Sequence, residues 1–363
     1  MEMKNETPEQ QPKIKVLLVD DSLIALTILK KMLSTAPDIE VMGTAMNGRD
    51  ALALVPKLDP TVVCTDLHMP VMDGLELTRE IMDKYPRPIL VISASVSEGN
   101  NNVFQLLNAG AVDVFPKPHG GLETEYIRQA NNLINKVRIL AGVHVFRRVK
   151  KDAAMPVCIM PAEMPLPAKQ AHLRIVAIGA STGGPQALQN ILSRLPANFP
   201  LPIVCIQHIG DGFLEGLVEW LNSVCAVKIE IAQEGAAPLP GVVYFPREGA
   251  HLLIDGNGRF KYSLGAPFNG HRPSVTEAFR SIAERYGNGV IGVLLTGMGN
   301  DGAEGLKTIA EAGGLTIAQD EKTSVVFGMP KCAIELGAAK NVLPLEEIAS
   351  MIMSRVTMNG VMK

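Results

Sequence analysis

Apolar residues fall along the first part of this chain in short unbroken blocks: KVLLVD, IEVMGTA, TVVCTD, PILVIS and VDVFP. Blocks of this length without strict alternation read as strands buried on both faces. The stretches between them, such as Leu23 to Leu33 and Gly74 to Lys84, place apolar residues three and four apart, the spacing of a helix with one buried face. Strand and helix in alternation predict a parallel sheet covered by helices on both sides. Residues 14–140 are therefore expected to form a five-stranded, doubly wound α/β domain.

The alternation then stops. Residues 141–172 read AGVHVFRRVKKDAAMPVCIMPAEMPLPAKQAH, with four prolines and no sustained period. Proline removes a backbone donor and restricts its predecessor, so this stretch predicts an extended linker. Over 173–355 the blocks return as RIVAIGA, LPIVCIQH, GVVYFP, HLLID, GVIGVLLTG and LTIAQ. GVVYFPREGAHLLID reads as a hairpin, because Arg247, Glu248 and Gly249 interrupt two apolar runs. The second domain is expected to be a larger α/β unit, mostly parallel, with that antiparallel piece.

Composition narrows the classes. Of 363 residues, 47% are hydrophobic and 20% charged, which excludes disorder. A net charge of −3 gives no electrostatic reason to invoke nucleic acid or an anionic membrane as partner. Cys64, Cys158, Cys205, Cys225 and Cys332 are scattered with no CxxC pair, which argues against a disulfide framework or a zinc site and fits a reducing compartment. The start, MEMKNETPEQQPK, is polar and acidic, unlike a signal peptide, and no apolar run has the length of a membrane span. A cytoplasmic protein without membrane insertion is expected.

Candidate chemistry in the first domain lies at strand ends. Asp20 and Asp21 close the first strand, Asp66 the third and Ser93 the fourth, while Lys117 follows the fifth. In a doubly wound sheet these ends share one crevice. Crowded carboxylates need a cation, and oxygen ligands with retained waters suit Mg²⁺. An Asp pair also caps helices, which accounts for Asp20 and Asp21 but not for Asp66, Ser93 and Lys117.

VDDS, TDLHMPVMDG, VISAS and the KP dipeptide together resemble the response-regulator receiver family. The resemblance implies Asp66 as phosphoacceptor, Asp20, Asp21, Asp66 and the His68 carbonyl as Mg²⁺ ligands, and Ser93 and Lys117 as the residues that sense the phosphoryl group. It also implies a sensor histidine kinase as phosphodonor. Such receivers often carry an aromatic residue three positions before the lysine; here Val114 stands there and Phe115 follows.

In the second domain, RIVAIGA runs into Gly179-Ala180-Ser181-Thr182-Gly183, a G-x-S-x-G pattern at a strand-to-helix turn. Such turns raise a serine hydroxyl clear of the sheet, and the helix start offers amides to an oxyanion. They also cradle phosphates, but a dinucleotide site wants an acidic residue closing the next strand, and that strand ends in Gln207-His208. Asp301 follows GVIGVLLTG. Ser181, His208 and Asp301 thus reach one edge from three strands as nucleophile, base and orienting carboxylate. His251 begins a strand and is expected to be a packed or hydrogen-bonded core residue; His271 is expected to line the cleft.

GASTGG, IQH, HRPSV, LLTGMGNDGA and AQDEKTSVVFGMP resemble the catalytic domain of chemotaxis protein-glutamate methylesterases. The resemblance implies hydrolysis of glutamate methyl esters on cytoplasmic helices of methylated chemoreceptors, with a second glutamine deamidase activity and no cofactor at that site. It implies Ser181, His208 and Asp301 as the triad, the Met298 N–H in the oxyanion hole and Thr182 as support for the histidine. Gly210 and Thr276 replace a proline and an acidic residue common in the family, and both are expected on the substrate surface. A receiver-controlled hydrolase of another ester or amide, and a phosphorylation-dependent binding module, remain the alternatives.

Overall fold

The computed structural model describes residues 13–94, 102–118, 123–143, 145 and 173–358. The polar start of the chain, most of the linker expected over 141–172, Cys158, His119, His144 and His172 lie outside the described residues. Two compact units form.

The first contains strands β1 (Ile14–Val19), β2 (Ile39–Ala45), β3 (Val62–Thr65), β4 (Ile89–Ser93) and β5 (Asp113–Pro116). They pair in parallel in the order β2-β1-β3-β4-β5. In sequence they alternate with helices α1 (Leu23–Leu33), α2 (Gly48–Leu58), α3 (Gly74–Lys84), α4 (Asn102–Ala109) and α5 (Glu123–Ala141). Short polar side chains start the first three helices: Ser22, Asn47 and Asp73 each accept a first-turn amide. The cap of α1 is therefore Ser22, which leaves Asp20 and Asp21 for other work. The order reverses between β1 and β3, and the crevice at that switch point receives the carboxyl ends of both strands.

The second unit contains β6 (Ile175–Ala180), β7 (Ile203–Gln207), β8 (Lys228–Ile231), β9 (Val242–Phe245), β12 (Val290–Leu294), β13 (Leu315–Gln319) and β14 (Asn341–Leu343). These run in the order β14-β13-β12-β6-β7-β9-β8, with every pair parallel. Its helices are α6 (Gly184–Leu192), α7 (Leu214–Val224), α8 (Val275–Tyr286), α9 (Ala303–Glu311), α10 (Met329–Glu335) and α11 (Leu345–Met358).

The antiparallel piece differs from expectation. GVVYF and HLLI do not pair with each other; instead β10 (His251–Ile254) pairs with β11 (Phe260–Ser263) as a separate two-stranded sheet. The turn between them decides this. Asp255 accepts amides of Asn257 and Arg259, and Gly258 takes a positive φ of 79°, a combination that DGNG supplies and REG does not. Leu252, Ile254, Phe260 and Tyr262 of this hairpin join Val275, Phe279 and Ile282 of α8 in one buried cluster. At roughly 1.5–3 kcal/mol per buried large side chain, that packing fixes α8 against β10. Among the described residues no helix is long and apolar enough to cross a membrane.

Candidate active site

In the first unit, one oxygen each of Asp20, Asp21 and Asp66 lie within 4.8 Å of one another. Asp20 and Asp66 are buried and Asp21 is exposed. Lys117 Nζ reaches 2.8 Å from Asp20 Oδ2 and 2.7 Å from Asp66 Oδ2. Burial pushes the Asp66 carboxyl above its usual range, with Asp20 adding to it, against the pull of Lys117 and the Leu67 amide. Burial also opposes the Lys117 ammonium, but its two carboxylate partners outweigh that and hold it above its ordinary value. Ser93 accepts the Lys117 amide at its carbonyl (2.8 Å), tying the end of β4 to the lysine loop. Gly74 has a structural reason: a Cβ there would lie 2.1 Å from the Asp66 carbonyl oxygen. Crowded, hard oxygen donors beside a single lysine fit Mg²⁺, and His68 sits two residues past Asp66 in the same loop.

In the second unit, Ser181, His208 and Asp301 follow β6, β7 and β12, three adjacent strands. The register Ala180↔Gln207 sets Ser181 beside His208, and the His208 amide donates to the Ala180 carbonyl at 3.0 Å. His208 Nε2 lies 2.9 Å from Asp301 Oδ2. Its other ring nitrogen, Nδ1, is buried and has no hydrogen-bond partner. With Nε2 committed to the carboxylate, Nδ1 is the nitrogen left for Ser181.

Asp301 is 1% exposed and saturated with donors. Oδ1 accepts Ser274 Oγ–H (2.9 Å) and the Thr276 amide (3.0 Å), while Oδ2 accepts the Val275 amide (2.8 Å) besides His208. The carboxylate sits on the N-terminus of α8, where backbone donors and the helix dipole favour negative charge. Burial opposes that charge. The hydrogen bond and charge of His208, with the Thr276 and Val275 amides, outweigh it and hold Asp301 well below the ordinary carboxylate range.

Met298 lies in the loop after β12, is 48% exposed, and makes no hydrogen bond through its N–H among the described residues. Gly297 before it packs directly on Ser181: a Cβ there would meet Ser181 Cβ at 2.7 Å. Thr182 is buried next to Ser181, and its carbonyl accepts Thr296 Oγ1–H. The first amide of α6, at Gly184, is taken by the Ser181 carbonyl (2.8 Å), so the helix start stabilises the turn itself.

Sequence reasoning missed several supports. Gln207 Nε2 donates to both the Ser181 and His208 carbonyls at 2.8 Å, clamping the Ser181 turn to His208. Gln319 Oε1 accepts the Thr296 amide (2.8 Å), and Thr296 in turn accepts the Ser181 amide (3.0 Å). Both glutamines end strands, a position that marks them as polar groups at the functional edge. His271 stacks on His208, rings parallel with centroids 3.9 Å apart, which places it in the site more intimately than a cleft wall. His251 is a hydrogen-bonded core residue as its place in β10 suggests. Thr276 is not on the substrate surface. It is fully buried, and its hydroxyl accepts the Gly302 amide at 2.7 Å, bracing the residue after Asp301. Gly210 lies partly exposed in the loop after His208. Burial pushes the Cys64 thiol up to about 12 and the Cys225 thiol up to about 11, which disfavours the thiolate at both.

Fold and site thus define a two-part class: an α/β unit with a carboxylate–lysine cluster at its strand ends, joined to a larger α/β unit that brings Ser181, His208 and Asp301 to one sheet edge. Residues 176–352 match the family model described as CheB methylesterase, and residues 16–125 match the response regulator receiver domain. A protein-glutamate methylesterase/protein-glutamine glutaminase of Geobacter metallireducens is 42% identical over 344 residues, covering 94% of this chain and 98% of that protein. One from Methanospirillum hungatei is 40% identical over 343 residues, with coverage of 94% and 98%. The crystal structure of the Thermotoga maritima CheB methylesterase catalytic domain is 40% identical, covers 50% of this chain and 98% of that one, and gives a TM-score of 0.49. The chain belongs to the protein-glutamate methylesterase/protein-glutamine glutaminase family.

Proposed function

We propose that the chain hydrolyses methyl esters of glutamate side chains on the cytoplasmic helices of chemoreceptors, and deamidates glutamine there, with Ser181 as nucleophile. The observation that carries this reading is the pairing of His208 Nε2 with Asp301, which leaves a buried, unpartnered Nδ1 on the strand beside Ser181. His208 Nδ1 takes the Ser181 Oγ proton as Oγ bonds to the ester carbonyl carbon. Negative charge develops on the carbonyl oxygen, for which the Met298 N–H is the donor. Collapse breaks the C–OCH₃ bond, and the leaving group departs as methanol with the proton from His208. Water, deprotonated by His208, then attacks the glutamyl-serine ester; the bond to Ser181 Oγ breaks, Oγ takes the proton back from His208, and the glutamate is freed. An amide follows the same course with ammonia as leaving group. Asp301 keeps the imidazole oriented and stabilises its cationic form.

The receiver supplies control. Phosphorylation of Asp66 by a sensor histidine kinase places new acceptor oxygens beside Lys117 and Ser93 and so reshapes that edge. Asp20, Asp21, Asp66 and the His68 carbonyl would hold Mg²⁺, and a bound ion there would supply charge neutralisation for phosphorylation of Asp66. A cytoplasmic location accords with this substrate and with the free thiols of Cys64, Cys205, Cys225 and Cys332. Mass spectrometry of receptor peptides tests the reaction: methyl-ester and glutamine positions are expected to become glutamate with the wild-type chain and stay unchanged with Ser181→Ala. Conversion by Ser181→Ala at the wild-type rate would overturn it.

A further inference from the structure

We propose that His251, which never touches the reacting atoms, is a positioning residue that sets the register of Asp301 and through it the catalytic His208. The inference rests on the triad reading above and extends it by one layer. His251 opens β10 and is 3% exposed. Its Nδ1 accepts the Ser274 amide at 3.2 Å, and its Nε2 lies 3.1 Å from the Ala266 carbonyl oxygen. An amide donor at Nδ1 requires a lone pair there, so Nε2 carries the proton and donates to Ala266. The ring is thereby held from both sides in one tautomer.

Ser274 is the residue on which the acid depends. It caps α8, with its Oγ accepting the Glu277 amide (3.3 Å) and donating to Asp301 Oδ1 (2.9 Å). Val275 and Thr276, the next two residues, give their amides to the same carboxylate. Three of the four donors to Asp301 therefore belong to one short turn, and the fourth is His208 itself. Ser274 is fully buried, so its own amide finds no water. His251 satisfies that amide and fixes where the turn stands against β10. Three residues along the strand, the Ile254 amide donates to Ser281 Oγ (3.0 Å), a second strut between β10 and α8. Moving the turn would move the three donors together and draw Asp301 away from His208 Nε2. A displacement of that kind costs turnover far more than substrate binding, because the His208–Asp301 bond matters most when the imidazole becomes charged.

Two near-isosteres separate this role from ordinary core packing. Asparagine carries an acceptor at the reach of Nδ1, and glutamine an amide donor at the reach of Nε2. H251N thus keeps the contact to Ser274 and loses the one to Ala266, whereas H251Q does the reverse. Each variant loses one hydrogen bond, so similar falls in Tm are expected for both. Methanol release from methylated receptor, measured on the full-length chain, is expected to divide them. In H251Q kcat falls about tenfold with KM unchanged, the effect of weakening one buried polar contact in the transition state. In H251N kcat stays within about threefold of wild type. Equal kcat losses in the two variants, or losses that follow Tm, would overturn the proposal and leave His251 a packing residue. Wild type and Ser181→Ala run alongside: no wild-type release would sink the triad reading itself, a separate failure.

Discussion

His208 gives its Nε2 to Asp301 at 2.9 Å and leaves its Nδ1 buried without a partner, one strand over from Ser181. The carboxylate at the far end of this pair is charged because α8 begins there, not because water reaches it. The site therefore grades from a partly exposed Met298 at the surface to a fully desolvated acid beneath.

Replacing Asp301 by Asn keeps the shape but places an amide where four donors converge. The side chain can no longer accept all of them, and its NH₂ group opposes the His208 N–H that now points at it. Turnover is expected to drop by a thousandfold or more, on the order seen when a triad carboxylate is made an amide. Steady-state methanol release checks this; a loss under tenfold would contradict the assigned role.

Acid titration reads the same carboxylate as a stability effect. In the folded chain Asp301 titrates below the ordinary carboxylate range, so the unfolded chain binds its proton first as pH falls. Its contribution is complete above a pH of about 4 and is lost as pH drops below that. The gap in urea midpoint between wild type and Asp301→Asn is expected to be widest near neutrality and to shrink at pH 3. A gap independent of pH would argue against a buried, charged Asp301.

Gly184 stands where a side chain would meet Gln207. An added Cβ lies 2.0 Å from Gln207 Oε1, so Gly184→Ala must expel the side chain that clamps Ser181 to His208. Stability should fall by about 1–3 kcal/mol, with kcat reduced as well. In Gln207→Ala the nearer obstacle is gone and only Ala180 Cβ, 2.8 Å from the added Cβ, remains, so adding Gly184→Ala should cost less there than in the wild type. Additive losses in the double variant would show that the two residues act separately.

In the receiver, Lys117 bridges Asp20 and Asp66, and Asp66→Asn removes the proposed phosphoacceptor while keeping its size. Asp66→Asn is expected to take up no label from a radiolabelled small phosphodonor, and Lys117→Ala to take up label without stimulated methanol release. Labelling of Asp66→Asn at the wild-type level would place the acceptor elsewhere.

Much of this was legible before any coordinates. Of the ten apolar blocks that became parallel strands, all but β2 are buried along most of their length, so burial wrote them as continuous runs, and Leu23–Leu33 and Gly74–Lys84 matched their helices to the residue. Strands β8 and β14 leave a weak signal, because KIEI alternates charged with apolar residues over only four positions and NVL has only three residues. The sequence suggests REG as the hairpin turn because it joins two plain apolar runs, whereas DGNG joins HLLI to FKYS, which alternates but is only four residues long and half polar. Ser181, His208 and Asp301 could be found because strand ends are easy to locate. The grip of Ser274 to Thr276 on Asp301, the stacking of His271 and the clamp of Gln207 depend on side chains meeting across elements far apart in sequence, and no local pattern records that.

The most direct test is methanol release from methyl-labelled chemoreceptor, with and without a small phosphodonor and Mg²⁺, for wild type, Asp66→Asn and Ser181→Ala. Release that rises with phosphodonor in wild type, ignores it in Asp66→Asn and vanishes in Ser181→Ala is the predicted result. Undiminished release from Ser181→Ala, or none from wild type labelled at Asp66, would contradict the account.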